Sequence, residues 1–162
     1  MLKTDFLVVG SGIAGLSYAL RVANRGKVAI ITKKRKSDAS TNYAQGGIAS
    51  VVAPEDSFEK HISDTLATGC GLSHPDVVRS IVEAGPGCIK ELIRLGVGFS
   101  RDEEQLHLGR EGGHSERRVV HAADYTGREI ERALLQAVQD NGNISVYENH
   151  TAIDLITIDL PD

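Results

Sequence analysis

The stretch Phe6-Leu7-Val8-Val9-Gly10-Ser11-Gly12-Ile13-Ala14-Gly15-Leu16 decides the fold. Four apolar residues in a row suit a parallel strand buried on both faces. The pattern Gly10-x-Gly12-x-x-Gly15 follows at once. Beyond it Ile13, Leu16, Leu20 and Ala23 recur at the helical period, which predicts a helix to about Arg25 with Gly26 as its stop. Val28-Ala29-Ile30-Ile31 is a second apolar strand. Strand, glycine turn, helix and strand within about 30 residues form a βαβ unit. The fold class is therefore α/β, a Rossmann-like dinucleotide-binding domain with a parallel sheet.

Only between a strand and a helix does the glycine pattern have mechanical meaning. The first glycine allows a tight turn, the second lets backbone approach a pyrophosphate, and the third lets helix and strand pack closely. The helix N-terminus then offers unpaired N–H groups and a partial positive charge to the diphosphate, and the Ser11 hydroxyl is a further donor. Leu16 stands where a P-loop would carry lysine, and no G-x-S-x-G elbow occurs, so hydrolase readings lack support.

Which dinucleotide is bound is a separate question. About 20 residues past the glycines an acid is expected to hold a ribose hydroxyl, but the second strand runs into Thr32-Lys33-Lys34-Arg35-Lys36. Taken alone, Lys33, Lys34 and Arg35 suit a 2′-phosphate, as in NADP, or are simply a solvated charge run. The segment 33–53 argues instead for a flavin nucleotide, because a long aperiodic stretch inside a domain is usually functional. Its Ala44-Gln45-Gly46-Gly47 lets backbone touch a large planar ligand.

Further along, helices are expected over 57–68, 76–84 and 88–95, with Pro86 opening the last. A polar loop covers 101–121, an amphipathic helix 126–140, and strands 144–147 and 152–158. Few parallel strands result, and a doubly wound sheet usually has five or six. The expectation is a truncated domain: 1–162 as the N-terminal part of a longer enzyme's FAD-binding domain, its capping and helical domains absent. An uncovered sheet edge would favour oligomers.

The 162 residues carry a net charge of −4, with 41% hydrophobic and 25% charged residues, which suits a globular domain and not a nucleic-acid binder. Cys70 and Cys88 have no metal or disulfide spacing and read as buried or free thiols of a reducing, cytoplasmic setting. No apolar run reaches the ~20 residues of a membrane span. His114 and His121 lack partners at ligand spacing, so no metal is expected.

Four segments in order, V-V-G-S-G-I-A-G-L-S from Val8, S-T-N-Y-A-Q-G-G-I-A from Ser40, R-E-G-G-H-S from Arg110 and H-A-A-D-Y-T-G-R-E-I from His121, resemble the succinate dehydrogenase/fumarate reductase flavoprotein family. Within it the likeness is to the branch that oxidises L-aspartate to iminoaspartate, with oxygen or fumarate as acceptor, for quinolinate and NAD synthesis. Quinolinate synthase is the downstream partner this implies. The resemblance also implies FAD contacts at Gly10, Ser11, Gly12, Ile13, Ala14, Gly15, Lys33, Ser40, Thr41, Asn42, Tyr43, Ala44, Gln45, Gly46, Gly47 and Ala152, with Thr151 beside it. In the succinate and fumarate enzymes a histidine at the position of Ser40 binds flavin covalently; serine implies noncovalent FAD. Glu111 stands where those enzymes have an apolar aromatic, and the resemblance assigns it to orienting the substrate, whose ammonium a carboxylate can pair.

His114 is a second candidate at the substrate, or else a loop-fixing residue. Arg110, Arg117 and Arg118 are candidates for attracting a dicarboxylate, and Tyr43 for packing on the flavin or filling core. The family's base and its carboxylate-gripping residues lie later in its chains, so this chain by itself is expected to lack oxidase activity. Two other readings stay open: a soluble fumarate reductase-like enzyme, and a noncatalytic nucleotide-binding module.

Overall fold

A computed structural model describes residues 2–157. Its elements are β1 (Phe6–Val9), α1 (Ile13–Val22), β2 (Val28–Thr32), α2 (Ser40–Tyr43), β3 (Ile48–Ala49), α3 (Phe58–Thr68) and α4 (Pro75–Arg94). Then come β4 (Arg101–Asp102), β5 (Gln105–Leu106), β6 (Leu108–Gly109), β7 (Val119–Val120), α5 (Thr126–Gln139) and β8 (Ile144–Glu148). They form two compact units, one from the residues up to Asn42 with those from Leu134 onward, the other Tyr43–Ala133.

The first unit holds the expected parallel sheet, in the order β1-β2-β8, with Phe6 opposite Val28 and Val28 opposite Ile144. Central β2 is buried at Val28, Ala29, Ile30 and Thr32. β1 departs from the expectation of two-sided burial. Val8 is covered, but Leu7 and Val9 are 55% and 65% exposed. β1 is the end strand of the order, and only its Val8 face is packed. α1 buries Leu16 and Ala19 and stops at Val22, short of Arg25. Gly26 is not its stop: a Cβ there would come 2.6 Å from the Asp5 carboxylate, which accepts the Lys27 N–H at 2.7 Å.

No strand forms over 152–157, and Ile158 lies outside the described residues. β8 ends at Glu148, Asn149 turns into the left-handed region at φ 58°, and the His150 N–H pairs with the Thr32 carbonyl.

In the second unit α3 packs on α4 through Ile62, Val78 and Val82, flanked by Val51, Phe58 and Leu66. The two helices expected over 76–84 and 88–95 are one helix with Pro86 inside it. An interior proline costs about 3 kcal/mol, but the buried stripe Val78, Val82, Ile89, Leu92 keeps helical phase across it, so a single packed face outweighs the break. Pro75, not Pro86, is the proline at a helix start. The segments 33–53 and 101–121 are not plain loops either. β3-β7-β6 and β4-β5 are small antiparallel sheets within the second unit. Two-residue strands have no periodicity to read, and Ile48 finds Val120 only in three dimensions.

Cys70 and Cys88 are free and exposed. Among the described residues no helix is long and apolar enough to cross a membrane.

Candidate functional site

At the end of β1 the chain turns into α1 through Gly10, whose φ of +105° suits glycine. A Cβ on Gly15 would collide with the Gly10 carbonyl oxygen, so the third glycine sets how closely helix and strand approach. A Cβ on Gly10 would meet nothing within 4 Å. The space over the turn is open, and it belongs to a cavity of about 470 Å³ in the first unit. Gly10, Ser11 and Gly12 line it together with Ser40 and Thr41, and Lys33, Thr151 and Ala152 are among its other lining residues. The Thr41 hydroxyl accepts the Ile13 N–H at 3.0 Å, capping α1 from a distant segment.

In the second unit, the segment carrying Glu111 and His114 closes on itself. The His114 N–H donates to the Glu111 carbonyl at 3.2 Å, and Gly113 has the positive φ of +86° that a type II turn requires. Arg110 Nε donates to the His114 carbonyl at 2.8 Å, while the Glu111 side chain stays exposed. His114 Nδ1 is buried with no hydrogen-bond partner among the described residues, and its ring meets that of His61 edge to face at 6.0 Å. Arg118 is fully buried. Its Nε and Nη2 fork onto both Asp56 oxygens at 2.8 Å each, and its Nη1 reaches Asp64. Burial raises the Asp64 carboxyl, but hydrogen bonds from Ser115 and Arg118 outweigh it and bring its pKa to about 2. His61 titrates lower than an ordinary histidine, first from burial and then from Arg118.

A family model described as an FAD binding domain matches residues 5–159. The chain belongs to that family. It is 54% identical over 154 residues to the L-aspartate oxidase, chloroplastic, of Oryza sativa, covering 94% of this chain and 24% of that protein. It is 47% identical over 155 residues to the L-aspartate oxidase of Acinetobacter baylyi, covering 95% of this chain and 28% of that protein. Among solved structures, E. coli quinol fumarate reductase superposes with a TM-score of 0.85 at 33% identity, covering 91% of this chain and 26% of that one. The chain thus spans about a quarter of the length of the relatives it matches.

FAD is the cofactor of this domain, and the cavity of the first unit fits its dinucleotide end. A pyrophosphate needs backbone without side chains in front of it and a helix N-terminus behind it. Gly10 and Gly12 give the first and α1 the second. The N–H groups of Ala14 and Gly15 stand in the first turn of α1, where no intrahelical acceptor exists.

Several expected roles change at this site. The Ser11 hydroxyl is buried and donates to the Thr32 hydroxyl at 3.2 Å, so it ties turn to strand. The Ile13 N–H is already satisfied by Thr41. Of the basic run only Lys33 lines the cavity, and Lys34 pairs with Asp38 at 3.3 Å. Asn42 closes the first unit's share of segment 40–47, and Tyr43 to Gly47 belong to the second unit. There Tyr43 is 68% exposed and so does not fill core. The Ala44 carbonyl accepts the Gly127 N–H, Gln45 is exposed, and Gly46 faces open space. Gly47 is fixed by packing, since a Cβ there would strike the Val120 carbonyl. Arg118, a candidate for dicarboxylate attraction, is committed to two aspartates.

Sequence reasoning missed Asp38, Ala39 and His150 in the cavity, and His61, Asp56 and Asp64 around the turn. Asp38 carried a signal, being an acid at roughly the expected distance beyond the glycines. The three residues of 56–64 carried none, because nothing in a helix sequence names the remote loop it will hold.

Proposed function

We propose that this chain is the N-terminal, FAD-binding part of a longer oxidoreductase that oxidises L-aspartate to iminoaspartate. The chain's identity to L-aspartate oxidases over nearly its whole length supports the assignment. The observation that carries the substrate choice is Glu111, an exposed carboxylate at the head of a rigid turn. Aspartate differs from succinate by one ammonium group, and a carboxylate at hydrogen-bond range favours that cation.

In this reading the glycine turn and α1 hold the pyrophosphate, Lys33 and segment 40–47 complete the FAD site, and Ser40 leaves the flavin noncovalently bound. FAD, when bound, supplies a two-electron acceptor for the hydride leaving the aspartate Cα. Glu111 orients the substrate amine, and His114 stands beside it on the same turn. The amine proton goes to a base outside this chain, as do the contacts that grip the carboxylates, so residues 1–162 alone bind nucleotide without turning over. The product would pass to quinolinate synthase for NAD synthesis, with oxygen or fumarate taking the electrons. We read the enzyme as cytoplasmic and able to associate into oligomers.

Substrate preference of the full-length protein tests this. The reading expects peroxide or fumarate-dependent turnover with L-aspartate and none with succinate. Turnover of succinate in preference to aspartate would establish the fumarate reductase-like alternative instead.

A further inference from the structure

Gly113, His114 and Ser115, the last residues of the Glu111 turn and the one after it, each rest on a different residue of one face of α3. A Cβ on Gly113 would lie 2.7 Å from the Thr68 hydroxyl. The His114 ring meets His61. The Ser115 N–H and hydroxyl both donate to Asp64 Oδ2, at 2.7 and 2.8 Å. His61, Asp64 and Thr68 follow the three-and-four spacing that aligns side chains on a helix surface. Asp64 is the centre of this platform and grips Ser115 with two directed hydrogen bonds. Behind it, Arg118 joins Asp64 to Asp56, which directly precedes the Ser57 cap of α3. The Arg118 backbone is fixed as well, its N–H on the Gly109 carbonyl and its carbonyl on the Ser50 N–H.

We propose that Asp64, braced by Arg118, is a positioning residue for substrate recognition: it sets the height and angle of the turn from which Glu111 meets the substrate ammonium. The inference rests on the reading of Glu111 given above. Asp64 does not touch substrate. It acts by removing the freedom of a turn that would otherwise have to be ordered at each binding event, and a displacement of about 1 Å in such a group can cost up to a hundredfold. The residue is specific to the amine end of the substrate, because the segment it holds carries Glu111 and not the FAD cavity of the first unit.

The test is a double-mutant cycle in the full-length flavoprotein. Asp64→Asn is expected to raise KM for L-aspartate about tenfold, with kcat and FAD affinity little changed. In a Glu111→Gln background the same change is expected to add less than twofold, since the interaction it positions is already gone. Ser115→Ala, which removes the hydroxyl that donates to Asp64 and accepts from Arg118 but removes no charge, is expected to raise KM a few-fold with the same dependence on Glu111, and it serves if Asp64→Asn does not fold. Equal effects of Asp64→Asn in both backgrounds, or loss of FAD affinity with KM unchanged, would overturn the proposal. Amide hydrogen exchange at His114 and Ser115 needs no substrate and separates the two claims. Faster exchange in Asp64→Asn supports the positioning role even where wild-type protein fails to oxidise aspartate, and unchanged exchange refutes it.

Discussion

The hydroxyl of Thr41 accepts the N–H of Ile13 at 3.0 Å, so a residue of segment 40–47 caps α1, the helix we propose to receive the pyrophosphate. Fingerprint and loop, which are separate motifs in sequence, meet here through one hydrogen bond in the first unit. Thr41→Val should remove the acceptor while keeping the shape. The expected loss is about 1 kcal/mol of stability, in the range of a lost helix cap, with Thr41→Ser close to wild type. Thermal unfolding of the three proteins, with and without FAD, checks this.

The glycines separate into those fixed by packing and those facing open space. Gly15→Ala drives a methyl group into the Gly10 carbonyl and should cost about 2–3 kcal/mol, as overpacking does. Gly46→Ala meets nothing within 4 Å and should leave folding unchanged. If Gly46 backbone touches the flavin, as proposed, that same variant should bind FAD more weakly at unaltered melting temperature. Paired melting curves and flavin titrations distinguish the two effects.

Removing Arg118 should be far worse than removing an ordinary surface arginine. It leaves the fully buried Asp56 side chain with an uncompensated charge, a situation that typically costs about 3–5 kcal/mol. Arg118→Ala is therefore expected to be strongly destabilised, and the double variant Arg118→Ala/Asp56→Ala to recover part of the loss. Denaturant unfolding midpoints that show the double variant less stable than the single one would contradict this account of the pair.

Glu131 on α5 is 1% exposed, both carboxyl oxygens are without a partner among the described residues, and burial raises its pKa to about 7. Below about pH 4.5 the group is protonated folded or unfolded, so stability does not change with its titration there. As pH rises from 4.5 to 7 the unfolded chain releases the proton while the folded chain keeps it, so stability falls through that window. The loss should be about 3 kcal/mol, at roughly 1.4 kcal/mol for each pH unit between 4.5 and about 7. Glu131→Gln should abolish this slope. Melting temperatures from pH 4.5 to 8 would show it.

The glycine turn, α1, the two apolar strands and the amphipathic α5 were legible because each is a local pattern. The continuity of α4 across Pro86 was not, because the proline is a local signal while the burial of Val78, Val82, Ile89 and Leu92 on both sides of it is set by tertiary packing. The edge position of β1 was equally hidden, since an apolar run says what can be buried and not what covers it. Gly10, Gly12, Lys33 and Ala152, expected from motif and resemblance, line one cavity. His61, Asp56 and Asp64 could not be so expected, because their roles exist only once α3 meets a turn some fifty residues away, as in the Asp64–Ser115 hydrogen bond with its separation of 51. Arg118 was misread for the same reason: an arginine in a polar segment gives no sign of the two aspartates that bury it.

The most direct test of the central claim is to titrate this chain with FAD by flavin fluorescence, then denature the complex and look for flavin in the protein-free fraction. The account predicts saturable binding, weakened by Gly12→Ala, and complete release of unmodified FAD on denaturation. Flavin that stays with the denatured polypeptide would contradict the noncovalent reading of Ser40, and absence of binding both here and in the full-length protein would contradict the FAD site itself.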